Sequence, residues 1–128
     1  TPRDMPGVVA ALGVTASETL YHEKGYVLVI VADEAAVRAT DPDQRALAAQ
    51  GPYVVIVAAP GDATDVVSRV FTPAYAIDED PVTGSAHAVM VPYWAQRFGR
   101  DRFTAYQATR VVLGGSCVTV MEGTFFLP

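Results

Sequence analysis

The chain has 128 residues, 51% of them hydrophobic, and a formal net charge of -5. That length suits a single domain with one substantial core. The acidic balance argues against a nucleic-acid partner, which needs a basic face, and against an anionic membrane surface; apolar runs such as residues 53–60 are far too short to span a bilayer.

In chain order, Val8-Val9-Ala10-Ala11-Leu12 between a proline and Gly13 predicts a short opening helix, with Gly13 as its stop. His22 falls in an expected loop. Residues 25–31, rich in β-branched side chains after a glycine, predict a buried strand. Residues 33–39 predict a short helix with Asp33 as N-cap. Pro42 suits the first position of a second short helix that continues through residues 44–50. Residues 53–59 predict the next strand and 65–71 a third, followed by a loop over 72–83.

The longest helix is expected over residues 84–98, stopped by Gly99. Ala86, Val89, Met90, Val91, Tyr93 and Trp94 make it apolar on more than one side, which predicts burial, and Pro92 should kink or break it. Short strands are expected over 103–107, 111–113, 117–121 and 124–127. The pattern alone predicts an α+β domain in which strands surround one central apolar helix. Cys117 is the single cysteine, so an internal disulfide is impossible. With no charged-then-apolar leader in sight, a reducing cytoplasm is the expected compartment.

The stretch richest in chemistry is Glu79-Asp80-Pro81-Val82-Thr83-Gly84-Ser85-Ala86-His87. An acidic pair precedes the start of the long helix. A helix N-terminus leaves its first N–H groups unpaired and partly positive, which suits an anion such as a carboxylate. Asp80 is therefore a candidate proton donor or acceptor; the plainer reading is a turn residue before proline. Gly84 and Ser85 are candidate carboxylate-binding residues, and a helix entry capped by Thr83 or Ser85 is compatible with that role. His87 is expected to cap or pack, and Arg69 to form a structural ion pair, with Glu79 or Asp80 as candidate partners. Neither histidine has metal-ligand spacing.

The chain resembles the C-terminal half of PhzF-like proteins, which share the diaminopimelate-epimerase fold. The resemblance rests above all on the nine residues from Glu79. It extends through Ala11-Leu12-Gly13-Val14, Leu28-Val29-Ile30-Val31, Ser68-Arg69-Val70-Phe71-Thr72-Pro73 and Pro92-Tyr93-Trp94-Ala95 in the family's order. It implies a barrel-like mixed or antiparallel sheet around a central apolar helix. It also implies isomerase or epimerase activity by acid–base proton transfer on a small carboxylate, without metal or organic cofactor. Asp80 matches the family's aspartate, and Gly84 with Ser85 match its carboxylate-binding segment.

The N-terminal half that supplies the family's principal glutamate base has no counterpart in this chain. The resemblance further implies that a strand-and-turn unit is missing between Thr109 and Arg110, and that Ala76 replaces a common glycine. A natural half-length relative, a fragment and a joining of separate segments of a longer chain all fit these departures. The expected partners are a complementary N-terminal half or a second copy. The alternative function is a non-catalytic half that binds a small carboxylate or dimerises.

Overall fold

The computed structural model of the protein describes residues 1–109. The strands expected beyond Arg110, Cys117 and the deletion expected between Thr109 and Arg110 fall outside the described residues.

Alternation along three neighbouring strands sets the architecture. In β2 (Tyr26–Ile30) and β3 (Val54–Pro60), side chains of both parities are apolar and buried. Val27, Val29, Val55 and Val57 pack toward one face, and Leu28, Ile30, Ile56 and Ala58 toward the other. Every residue of β4 (Val66–Thr72) is buried. A sheet with such strands must be covered on both faces. On the first face lie α1 (Pro6–Leu12), α2 (Glu34–Ala39) and α3 (Gln44–Ala49), through Val8, Leu12, Val37 and Leu47. On the second lies α4 (Gly84–Phe98), through Ala86, Met90, Val91 and Trp94.

The sheet has six strands. β1 (Glu18–His22) forms an antiparallel hairpin with β2, and its turn uses Gly25 at φ 86. β2 and β3 run parallel, with α2 and α3 between them in the chain. β4 returns antiparallel to β3. The far side of β4 is shared: β5 (Ile77–Asp80) pairs antiparallel with its end and β6 (Ala105–Gln107) parallel with its start.

Several expectations are corrected. Among the described residues the sheet is open and layered between helices, not closed into a barrel, because β1 and β5/β6 are its two edges. Helix α4 is not buried all round: Gly84, Ser85, Ala88, Pro92, Gln96 and Arg97 are exposed. It runs unbroken through Pro92, which sits on that exposed side. Asp43, not the Pro42 entry, caps α3 by accepting from the Ala46 N–H at 3.0 Å. His22 ends a strand, and the loop over 72–83 holds a 3-10 turn (Pro73–Tyr75) and β5.

Other local readings hold for stated reasons. Gly13 and Gly99 close α1 and α4 at φ 68 and φ 66, a region glycine enters without steric cost. Asp33 caps α2 by accepting from the Ala36 N–H at 2.8 Å. Trp94 is fully buried and stacks on Phe98 at 5.4 Å between ring centroids. No described helix is long and apolar enough to cross a membrane.

Candidate functional site

The site is built at the far edge of β4, where β5 delivers Asp80 directly to the start of α4. The three consecutive acids Asp78, Glu79 and Asp80 diverge, as successive residues of a strand must. Asp78 is exposed. Glu79 is buried and binds Arg69 with both oxygens, Nε to Oε1 at 2.8 Å and Nη2 to Oε2 at 2.9 Å. The Arg69 guanidinium also donates through Nη1 to the carbonyls of Val37, Arg38 and Thr40 at the end of α2. Arg69 is thus the structural ion-pair residue expected, and Glu79 is its partner.

Asp80 is half-buried and points elsewhere. Its Oδ2 accepts from the Thr83 hydroxyl at 2.6 Å, in the short range of charge-assisted hydrogen bonds. Its Oδ1 makes no hydrogen bond among the described residues. Thr83 holds the N-cap position of α4 with extended backbone (φ -126, ψ 93) but caps no α4 amide with its side chain. The first helical bond runs from His87 N–H to the Thr83 carbonyl at 3.4 Å. The amides of Gly84, Ser85 and Ala86 therefore have no acceptor among the described residues. Three uncapped N–H groups at the positive end of a 15-residue helix are an arrangement that suits an anion. Gly84 adds no bulk, with nothing within 4 Å of where a Cβ would stand.

Ser85 also borders a groove of about 330 Å³ between α4 and the β1–β2 hairpin, lined by Tyr26, Val89, Pro92, His22 and Lys24 among others. His87 turns back on its own helix, with Nδ1 2.9 Å from the Thr83 carbonyl. That is the structural role expected for it.

One participant had no role assigned from the sequence, although the resemblance matches Gln107-Ala108-Thr109 to a Gln-Ala-Ser-like motif of the family. Gln107, on β6, inserts its amide into the turn between β5 and α4. Its Oε1 accepts from the Thr83 N–H at 2.9 Å, and its Nε2 donates to the Asp80 carbonyl at 2.7 Å and to Thr83 Oγ1 at 3.2 Å. The pairing of β6 with β4, Ser68 opposite Gln107, brings it there from 24 residues away. A glutamine in a short edge strand carries no local signal of such a role. Among the described residues, no group of three or more His, Cys, Asp or Glu side chains is placed to hold a metal ion.

An acid at the end of an edge strand is thus tied to the uncapped N-terminus of α4. The family model of phenazine biosynthesis-like (PhzC-PhzF) proteins matches residues 11–110, and the chain belongs to that family. It is 48% identical over 97 residues to an uncharacterized isomerase of Pseudomonas aeruginosa, PA3578, covering 76% of this chain and 36% of the relative. A second, PA2770 of the same organism, is 38% identical over 134 residues, covering 94% and 51%. A crystal structure of a PhzF-family phenazine biosynthesis protein from Enterococcus faecalis superposes with a TM-score of 0.77 at 42% identity, over 84% of this chain and 41% of that one. The chain thus spans between about a third and a half of the length of these relatives.

Proposed function

We propose that this chain is the C-terminal half of a cofactor-independent isomerase or epimerase that moves a proton on a small carboxylate. The observation that carries the reading is the pairing of an acid, Asp80, with unspent helix amides at Gly84 and Ser85. The substrate carboxylate docks on those N–H groups and the Ser85 hydroxyl. Asp80 Oδ1 takes a proton from carbon, and the C–H electron pair passes into the conjugated acid. The positive end of α4 stabilises the charge that accumulates there. A proton returned to the opposite face by an acid of the complementary half gives an epimer, and one returned by Asp80 to another carbon gives an isomer; no atom is gained or lost. The names of the two Pseudomonas aeruginosa relatives as isomerases support this reading.

The test is deuterium incorporation from D2O into a panel of small carboxylates by the chain assembled with a complementary N-terminal half or a second copy, read by mass spectrometry. Incorporation that Asp80→Asn abolishes supports the proposal. No incorporation into any carboxylate, or incorporation indifferent to Asp80→Asn, refutes it.

A second reading concerns partners. Tyr75, Ile77, Val82 and Tyr106 are each more than half exposed and lie on the elements around the site. Apolar surface of that kind favours association with a complementary half or with a second copy. Sedimentation separates the outcomes: a dimer mass supports pairing with a second copy, and a monomer at high concentration leaves the complementary half. If that complementary half fails to bind as well, the chain works alone as a carboxylate-binding unit.

A further inference from the structure

The contacts of Gln107 have a direction. Its Nε2 can only donate, and Thr83 Oγ1 is one of its acceptors. The reversed amide would face its oxygen to the Asp80 carbonyl and its NH2 to the Thr83 N–H, opposing like groups at both, so the backbone fixes the orientation. Because the Thr83 oxygen accepts from Gln107, its single proton is committed to Asp80 Oδ2. The chain Gln107 to Thr83 to Asp80 therefore runs one way. It occupies Oδ2 as an acceptor and leaves Oδ1 without a partner among the described residues. The same glutamine ties the Asp80 carbonyl to the Thr83 amide, which sets the acid against the first turn of α4.

We propose that Gln107 is a positioning residue that acts through Thr83 to hold Asp80 Oδ2 as a fixed acceptor, so that Oδ1 is the oxygen that exchanges protons with substrate. This rests on the reading of Asp80 as the proton-transfer group. Gln107 touches neither substrate nor the transferred proton. It sets which oxygen is presented and how far that oxygen stands from the carboxylate-binding amides.

The experiment measures deuterium incorporation into the carboxylate panel by the full chain, in the assembly that sedimentation finds. Gln107→Glu keeps the acceptor oxygen and loses the NH2 donors; Thr83→Val keeps shape and loses the hydroxyl. Each is expected to lower kcat about 10- to 100-fold with little change in KM, the signature of lost positioning in the transition state. The double variant should lose scarcely more than either single one, because both break the same chain. Thr83→Ser should recover at least about tenfold over Thr83→Val, a rescue that a purely structural role would not require.

Wild-type kcat in Thr83→Val, or losses that multiply in the double variant, would overturn the inference while Asp80 keeps its role. Exchange that persists in Asp80→Asn, or absence of exchange from the wild type with every carboxylate, removes the reading of Asp80 and this inference with it.

Discussion

Arg69 and Glu79 meet as a buried two-pronged ion pair between β4 and β5, with Arg69 2% and Glu79 9% exposed. The same guanidinium closes the C-terminal end of α2 by donating to the Val37 and Arg38 carbonyls at 3.3 Å. One side chain thus binds a helix on one face of the sheet to the strand that ends in Asp80. The pair also consumes both Glu79 oxygens, so the acid next to Asp80 in sequence is withdrawn from its chemistry.

Removing one member of a buried pair leaves the other charge uncompensated, at a cost of about 3–5 kcal/mol. Glu79→Ala is expected to lose stability in that range in urea unfolding. Replacing both members with apolar residues, Arg69→Met with Glu79→Leu, should cost less than the sum of the single changes. An additive double variant would show that the two residues do not act as a pair.

Ala76 sits just before β5 at φ 64 and ψ 17, the one non-glycine residue with positive φ among the described residues. An L side chain in that region carries about 1–2 kcal/mol of strain. Ala76→Gly releases it and gives back part through the greater freedom of the unfolded chain. A net gain of up to about 1 kcal/mol is expected in thermal unfolding. A loss would mean that the methyl group packs better than its exposed setting suggests.

Local chemistry explains what the sequence disclosed. Gly13, Asp33 and Gly99 mark helix ends because their own backbones or side chains do the capping, and the β-branched runs at 27–31 and 55–57 are buried whichever way they face. The family block from Glu79 disclosed where the acid meets the helix. Two edge strands stayed hidden for a common reason. β1 alternates too weakly, with Leu20 and Tyr21 only part-buried, and β5 is a run of acids whose strand state is imposed by pairing with β4. The barrel expectation came from the resemblance, and the described residues form an open sheet. The role of Gln107, though not its place in a family motif, was illegible because its partners at 80 and 83 become neighbours only after β6 joins β4.

Asp65 fastens the end of α4 to the start of β4. It accepts from the Thr104 N–H at 2.8 Å and from Arg100 Nη2 at 2.6 Å. The Thr104 amide, and next the Arg100 guanidinium, hold its carboxyl below the ordinary value of 3.8. A carboxyl lowered in the folded state stabilises the fold above its unfolded pKa and loses that contribution as pH falls through the folded one. Wild type should therefore melt above Asp65→Asn at neutral pH, and the two should converge as pH drops well below 3.8. A gap in Tm that stays constant down to strongly acidic pH would show that the charge on Asp65 is not what matters.

Gly84 separates stability from binding. As the first residue of α4 it lies outside the positive-φ region, with open space where a Cβ would go. Nothing in the fold requires glycine here, and Gly84→Ala should hold or raise stability, by up to about 0.5–1 kcal/mol, through reduced freedom of the unfolded chain. The same methyl group would stand among the uncapped amides where a carboxylate approaches. Binding of a panel carboxylate, followed by the amide shifts of Ser85 and Ala86, should weaken while Tm holds or rises. Equal binding by Gly84→Ala would show that the anion does not approach this end of the helix closely, and would take from Gly84 the role that its motif implies.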